Sequence, residues 1–128
     1  DALLRFLSMG ITPVITHPER NLVIQRQPEL ALKLAEQGCV IQVTANSFTG
    51  HWGGATKKLA LWLLERDAVH VVASDAHDTR HRPPVLSKAK AALAELQGLQ
   101  VAIALVHDNP LAIISGRPLP YFPQPQTA

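Results

Sequence analysis

The sequence predicts an α/β fold in which strands and helices alternate and the strands run parallel. Short runs rich in Val, Ile and Thr alternate along the chain with longer segments whose apolar residues recur at helical spacing. The strand-like runs are almost continuous in apolar residues, which is typical of parallel strands that are buried on both faces. The strand–helix–strand order favours right-handed crossovers between neighbouring parallel strands.

Each element has a local signal. Clusters of β-branched residues predict strands at residues 13–16 (PVIT), 40–44 (VIQVT) and 69–73 (VHVVA). Apolar residues three and four positions apart predict helices at residues 28–37 and 55–66, from near Pro84 to just before Gly98, and from Asn109 to just before Gly116. Proline at the start and glycine after the end mark their limits.

The remaining segments are read less directly. Asn109 and Pro110 are predicted to be the N-cap and first position of the last helix. Residues 2–7 read as the tail of another helix that stops at Gly10, and residues 101–106 fit either a strand or a helix. The proline-rich end of the chain, PLPYFPQPQTA, is predicted to be extended or frayed.

Bulk properties limit the class of protein. The 128 residues suit one domain, and the formal charge of +2, with both signs interspersed, does not suggest a nucleic-acid-binding surface. The apolar runs are too short to cross a membrane, and the chain does not open on a signal peptide. The single cysteine, Cys39, excludes an internal disulfide and is expected to be buried. We therefore expect a cytoplasmic protein that does not insert into membranes.

The start of the chain suggests a piece of a longer protein. It begins at Asp1, without methionine, in what reads as the end of a helix. Three strands alone would also make a thin sheet. We therefore expect part of the fold to lie before residue 1.

A polar loop follows each predicted strand: THPERN, TANSFTG and SDAH. The carboxyl ends of parallel strands open on one face, where ligands of α/β proteins bind. Asp75 and His77 are two residues apart at a strand end, so both side chains can point to the same side. Together with His17 they could bind Zn, Mn or Fe, which activate water for hydrolysis. The alternative is that Asp75 caps a turn and His77 makes a surface hydrogen bond.

Arginines accompany these residues. Arg20 and Arg82 could bind an oxyanion such as phosphate through paired hydrogen bonds, whereas Arg80 is expected to be solvated. Glu19 is left open between a further ligand and the partner of a nearby arginine.

The other histidines and one tryptophan are weaker candidates. His70, inside an apolar strand, is expected to be a core residue rather than a ligand, and His107 to lie at a helix end. His51 and His81 lie on loops that could touch substrate, with simple exposure as the default. Trp52 is either a lid residue or a cover for the sheet.

The segments HPERN, NSFTGHWG, ASDAH, RPP and DNP followed by LAIISG, taken in this order, resemble the bacterial PHP-domain protein tyrosine phosphatases. These are the manganese-dependent enzymes of capsular and exopolysaccharide biosynthesis. The resemblance extends from about residue 13 to residue 119. It implies that residues 1–118 are the C-terminal half of a distorted (β/α)7 PHP barrel, followed by a tail at residues 119–128. It also implies that residues 101–106 are helical.

The resemblance also implies a site. His17, Asp75 and His77 would be ligands of a polynuclear Mn²⁺ centre (or one of Fe, Zn or Mg), and Arg20 and Arg82 would be catalytic residues that bind the substrate phosphate. A metal-activated water would attack phosphotyrosine without a covalent cysteine intermediate. The implied substrate is a phosphotyrosine protein, the tyrosine-rich C-terminal tail of a bacterial tyrosine kinase.

The chain departs from the family in one large respect, since the N-terminal His-x-His motif and further His and Glu ligands are absent. A full barrel needs about 250 residues. We therefore expect a partial or empty metal site, little activity in this chain alone, and a homodimer that covers the exposed half-barrel. The alternatives are another PHP phosphoesterase, such as a histidinol-phosphate phosphatase, and a non-catalytic binding or assembly module on a degenerate PHP scaffold.

Overall fold

A computed structural model describes residues 2–125, which form a three-stranded sheet and its surrounding helices. In chain order the helices and strands are α1 (Ala2–Ser8), β1 (Val14–Thr16), α2 (Leu22–Arg26), α3 (Glu29–Glu36), β2 (Val40–Thr44), α4 (Gly54–Glu65), β3 (Val71–Ala73), α5 (Ser87–Gln97), α6 (Leu99–Ile103) and α7 (Asn109–Ile114). Short 3₁₀ turns at Pro18–Arg20 and Ala45–Ser47 follow β1 and β2 directly, and a π-helical segment at Ala104–Asp108 joins α6 to α7.

The sheet is parallel, as predicted, and its strand order is β1-β2-β3. In the register, Val14 pairs with Val40 on one side of β2, and Gln42 pairs with Val71 on the other. Four of the five residues of β2 are buried, whereas β3 begins two residues later than the sequence predicts. Because all three strands run the same way, the turns after them open on one edge of the sheet.

The hydrophobic core lies between the sheet and helices α3 to α6. Its largest fully buried apolar side chains include Ile41, Leu63, Leu93 and Leu105. Burial of each such side chain contributes about 1.5–3 kcal/mol before the loss of chain entropy is counted. Cys39 is also fully buried, as expected, and burial raises the pKa of its thiol.

The β1 side of the molecule is open. Within the described chain β1 has only β2 as a neighbour, and Val14 is 38% exposed. Helix α1 has no buried residue, and Phe6 within it and Met9 and Ile11 after it are all substantially exposed. An uncovered edge with apolar side chains is what the half-barrel interpretation expects.

Three local features differ from the sequence prediction. Helix α2 was not expected; Asn21 caps it by accepting hydrogen bonds from the Val23 and Ile24 amides at 2.9 and 3.1 Å. The 3₁₀ turns after β1 and β2 were not expected either. Helix α5 begins at Ser87, three residues after Pro84.

The predicted N-cap at Asn109 is wrong. Residues 99–114 form one continuous helical segment, with α6, the π-helical segment and α7 following without a break. The wider π turn precedes Pro110, which has no amide hydrogen to offer a regular helix. His107 accordingly lies inside the helical segment rather than at a helix end. The helical state of residues 101–106 is confirmed.

The Asn109 side chain is used for a tertiary contact instead. Its Nδ2 donates to the carbonyls of His70 (2.8 Å) and Tyr121 (2.6 Å), and its Oδ1 accepts from the Tyr121 amide (3.1 Å). Residues 117–125 contain no helix or strand, but these bonds hold them against the body of the protein. Residues 126–128 of the predicted tail lie outside the described residues, and the boundary between residues 118 and 119 stays a prediction.

His70 is fully buried, as predicted, and it fixes the same region. The Ile41 amide donates to its Nδ1 at 2.9 Å, so the ring proton must be on Nε2, which donates to the Pro123 carbonyl at 3.2 Å. The ring also packs against Phe122, with centroids 4.6 Å apart. Among the helices of residues 2–125, none is long and apolar enough to cross a membrane.

Candidate active site

The polar residues collect where the three strands end. Arg20 closes the turn after β1, and Asp75 lies two residues beyond the end of β3. Trp52 lies in the loop between β2 and α4. Since β2 is the central strand, its loop lies between the other two, and the three loops meet at one edge.

Asp75 is the centre of the cluster. Its Oδ2 accepts a hydrogen bond from Arg20 Nη1 at 2.8 Å and another from Arg82 Nη2 at 2.6 Å. Arg82 Nη2 also lies 3.3 Å from the Asp75 carbonyl oxygen. The structure therefore brings together both predicted phosphate-binding arginines and one predicted metal ligand. With two guanidinium groups and one carboxylate, the cluster keeps a net positive charge suited to an anion.

The environment of Asp75 favours its charged form. Burial on its own raises the pKa of the carboxyl, but the Arg20 hydrogen bond and the charges of Arg82, Arg20 and His17 outweigh burial and lower it. Asp75 therefore stays ionised at neutral pH.

His17 and Asp75 both have left-handed backbone conformations, with φ of 38° and 53°. Residues other than glycine adopt this conformation at a cost, and such positions cluster at functional sites. Each comes directly after a strand or within two residues of it, so the backbone turns sharply out of the sheet there. The local strain is consistent with the requirement that these side chains face the common edge.

Glu19 makes no ion pair with an arginine among residues 2–125, and whether it is a metal ligand stays open. It is fully buried, and its Oε1 accepts from the Thr44 amide at 2.9 Å and from the Ser47 hydroxyl at 2.8 Å. Its Oε2 is buried without a hydrogen-bond partner among residues 2–125. The carboxylate thus joins the turn after β1 to the turn after β2 and fixes the position of Arg20 next to it.

Asp78 organises the loop after β3. Its Oδ1 accepts hydrogen bonds from the amides of Arg80, His81 and Arg82, at 2.6–2.9 Å. These hydrogen bonds, those to Arg82 and Arg80 above all, lower the pKa of Asp78. The Arg82 carbonyl in turn accepts from the His77 amide at 3.0 Å, so the loop closes and holds Arg82 near Asp75.

His77 is exposed and oriented by the backbone. Its Nδ1 lies 2.7 Å from the Asp75 carbonyl oxygen, which can only accept, so Nδ1 carries the proton. In the neutral ring Nε2 has a lone pair, which is the arrangement commonly seen for histidine ligands of metals.

A complete metal centre is nevertheless not formed by the described residues. Within residues 2–125 no group of three or more His, Cys, Asp or Glu side chains is close enough to hold a metal ion. The chemistry of His17, Asp75 and His77 fits a metal, and the lone pair of His77 Nε2 in particular fits. Their arrangement supplies at most part of a site, so the ligand roles of these three residues stay a prediction.

Trp52 is the residue whose role the sequence could not decide. The guanidinium carbon of Arg20 lies 3.9 Å from its ring centroid, and that of Arg82 lies 5.2 Å away. Both distances fall in the cation–π range. The exposed His51 ring meets Trp52 edge-on, with centroids 5.3 Å apart. The sequence around His51 and Trp52 could not predict these contacts, because the contacts join loops that are distant from one another in the sequence.

Two further candidates lie at the surface. Arg80 is exposed, as predicted, and His81 is 89% exposed with its Nδ1 3.8 Å from Asp78. Neither contacts the Asp75 cluster through a hydrogen bond that the described residues show. A role in substrate contact for His51 or His81 remains a prediction.

A parallel α/β sheet with charged loops at its carboxyl edge defines the class of protein, and comparison with known proteins defines the family. Residues 1–115 match the family described as capsular polysaccharide synthesis, CpsB/CapC. The chain belongs to this family.

Relatives and a solved structure agree with this assignment. The chain is 38% identical over 117 residues to the tyrosine-protein phosphatase CpsB of Streptococcus pneumoniae, covering 88% of this chain and 48% of the relative. It is 44% identical over 73 residues to the tyrosine-protein phosphatase YwqE of Bacillus subtilis (strain 168), covering 57% of this chain and 29% of the relative.

The structural match covers almost the whole chain. It superposes with a TM-score of 0.87 and 31% identity on a crystal structure from work on YwqE and CpsB, described as unique metal-dependent tyrosine phosphatases. The match covers 99% of this chain and 51% of the other. The predicted fold is thereby confirmed as part of the structure of these proteins. The chain spans about half the length of the Streptococcus pneumoniae relative and of the matched solved chain.

Proposed function

We propose that this chain supplies the phosphate-binding part of a metal-dependent phosphotyrosine-protein phosphatase of capsular or exopolysaccharide synthesis. The observation that carries the proposal is the convergence of Arg20 and Arg82 on one oxygen of Asp75. Two guanidinium groups that both reach one carboxylate oxygen are close enough together to bind two oxygens of one phosphate monoester. An open cavity of about 280 Å³ lies beside His17 and Arg20.

In this proposal the metal ligands are shared. His17, Asp75 and His77 would hold part of a polynuclear centre of Mn²⁺ (or Fe, Zn or Mg), and residues beyond the 128 would supply the rest. The chemistry that such a centre supplies is activation of water for attack on the phosphorus atom. Arg20 and Arg82 would bind and orient the phosphate and balance the charge that develops on it. The 128-residue chain alone would then have little or no activity.

The substrate we propose is a phosphotyrosine protein, and specifically the tyrosine-rich C-terminal tail of a bacterial tyrosine kinase. The names of the relatives support the phosphotyrosine part of this proposal. Histidinol phosphate is the competing substrate class. An assay of both phosphate esters on the chain joined to the part of Streptococcus pneumoniae CpsB that it does not match separates them, and preferential hydrolysis of histidinol phosphate would contradict the proposal.

Binding of O-phosphotyrosine to the chain tests the proposed phosphate site without requiring turnover. We expect a titration followed by NMR to shift the side-chain signals of Arg20 and Arg82. Replacement of either arginine by alanine should weaken binding at least about tenfold, since each removes a charged hydrogen-bond donor. Arg66→Ala is the matched control, because Arg66 also packs on a tryptophan but lies at the end of α4. Equal affinity in all four proteins would contradict the proposal.

A further inference from the structure

We propose that Trp52 is a positioning residue that holds Arg20 and Arg82 as a pair, so that both can bind the same phosphate. This inference rests on the proposed function and adds a residue to it. Its basis is that one indole ring lies within 3.9 Å of one guanidinium carbon and 5.2 Å of the other.

The two arginines need such a support. They belong to loops that follow β1 and β3, the outer strands of the sheet, and no hydrogen bond between them is possible because both are donors only. Asp75 draws both guanidinium groups together at one oxygen, but a carboxylate does not fix the planes in which they lie. A flat aromatic surface does so, because a guanidinium packs against a ring face or edge at van der Waals distance.

Trp52 is in the right place to give that surface. It lies in the loop after the central strand β2, between the loops that carry the two arginines. The loop itself is braced by backbone hydrogen bonds from His51 to Asn46 at 3.1 Å and from Gly53 to Gly50 at 3.1 Å. Both glycines have φ near 90°, which lets the chain reverse on each side of the tryptophan.

Hydrogen bonding does not explain the position of the ring. The Trp52 Nε1 is buried and has no hydrogen-bond partner among residues 2–125, which costs free energy. The ring instead contacts the edge-on His51 ring and the two guanidinium groups, and of these only the guanidinium groups carry a fixed charge. Its location is therefore accounted for by stacking under the arginine pair.

The other tryptophan shows the contrast. Trp62 packs on Arg66 at 4.1 Å, but both belong to the end of α4 and are four residues apart, a spacing that brings side chains together on any helix. Trp52 instead joins residues of three separate loops. Trp62 is thus a matched control: a tryptophan stacked on arginine, outside the site.

The test is the O-phosphotyrosine titration, repeated with Trp52→Leu, Trp52→Phe and Trp62→Leu. We expect Trp52→Leu to weaken binding at least about fivefold, Trp52→Phe to stay within about twofold of wild type because it keeps a ring face, and Trp62→Leu to leave affinity unchanged. Thermal unfolding of each variant verifies that it is folded. A purely structural role for Trp52 would lower the thermal stability of Trp52→Leu and leave its affinity for O-phosphotyrosine unchanged.

A second measurement does not depend on affinity. The indole ring current should shift the Nε–H and Cδ–H signals of Arg20 and Arg82 in the wild type, and Trp52→Leu should abolish these shifts. Unchanged affinity or unchanged shifts in folded Trp52→Leu, while Arg20→Ala loses binding, would overturn this inference and leave the proposed function standing. Absence of binding by the wild type would contradict the proposed function and, with it, this inference.

Discussion

Glu19 links two loops of the site through one carboxylate. Its Oε1 accepts from the amide of Thr44, the last residue of β2, and from the hydroxyl of Ser47 in the turn after it, while Arg20 is its neighbour in the turn after β1. Because Glu19 is fully buried, water cannot replace it as the acceptor for these donors. Its role is therefore to hold the arginine-bearing turn at a fixed place against the central strand.

Glu19→Ala should accordingly lower the free energy of unfolding by about 1–3 kcal/mol, because it leaves two buried donors unpaired. Urea denaturation monitored by circular dichroism measures the change. Glu36→Ala, on the exposed end of α3, is the matched control and should change stability by less than about 0.5 kcal/mol. An equal, small effect of both substitutions would show that Glu19 does not hold the turn.

At single residues, the sequence predicts chemistry better than geometry. Arg20, Asp75 and Arg82 could be singled out because the ends of parallel strands share one edge, and the structure places them in contact. Glu19 and Trp52 could not be assigned, because their partners are set by the packing of one loop on another. The predicted grouping of His17 with Asp75 and His77 around a metal stays a prediction, because no group of three or more such side chains within residues 2–125 is close enough to hold a metal ion.

Among the elements, the last helical segment and the chain after it form one unit. Asn109 holds Tyr121 through its side chain, and His70 on the strand side holds Pro123. Burial lowers the pKa of His70, and the hydrogen bond to Pro123 opposes this shift without cancelling it. The residues that follow α7 are thus held by two buried polar side chains, one on His70 directly before β3 and one on Asn109 in α7.

Asn109→Ala should lower the free energy of unfolding by about 1–3 kcal/mol, since the variant leaves the buried His70 carbonyl and the Tyr121 backbone groups without their partner. The measurement is again denaturant unfolding. Gln100→Ala on the exposed face of α6 is the control, and it should be nearly neutral. A loss no greater than that of the control would mean that the bonds of Asn109 contribute nothing to stability.

Stability should also depend on pH through His70. The pKa of His70 is lowered in the folded protein, so near its ordinary value of about 6.5 the unfolded chain binds the proton more readily. The contribution is complete above that pH and is lost as the pH falls toward the folded pKa, by up to about 1.4 kcal/mol for each pH unit. Unfolding measured between pH 7.5 and 5.5 should show this slope, and His70→Gln should reduce it. An identical slope in the variant would assign the effect to other groups.

The elements show where local signals fail. Strands and most helices follow from apolar spacing, but Asn109–Pro110 reads locally as a helix start although the helix runs through it. The asparagine side chain instead contacts His70 and Tyr121, which lie 39 and 12 residues from it in sequence. An asparagine before a proline has the same appearance in a sequence whether it caps a helix or makes tertiary hydrogen bonds. Only the three-dimensional structure distinguishes the two roles.

At the scale of the whole molecule, the open β1 edge favours association with another chain. Val14 and the apolar residues Phe6, Met9 and Ile11 are exposed beside a strand that pairs on one side only within residues 2–125. Such an edge favours pairing with another chain. We propose that the isolated chain forms a homodimer through this face, and that a chain completing the barrel would cover it instead.

Light scattering across a range of concentrations should therefore show a mass rising from 13.9 kDa toward twice that value. Val14→Lys should weaken the association by placing a charge on the edge, whereas Thr49→Lys, on the exposed loop after β2, should not. A monomer at all concentrations would contradict the proposed dimer.

The most direct test of the central claim is phosphotyrosine hydrolysis by the 128-residue chain, alone and joined to the part of Streptococcus pneumoniae CpsB that it does not match. We predict no turnover by the chain alone, and turnover by the joined protein that requires Mn²⁺ and falls at least about a hundredfold in Arg20→Ala or Arg82→Ala, but not in Arg66→Ala. Equal turnover with and without the added part, or full activity in a folded joined protein that lacks Arg20 and Arg82, would contradict the claim that this chain is the phosphate-binding half of a shared active site.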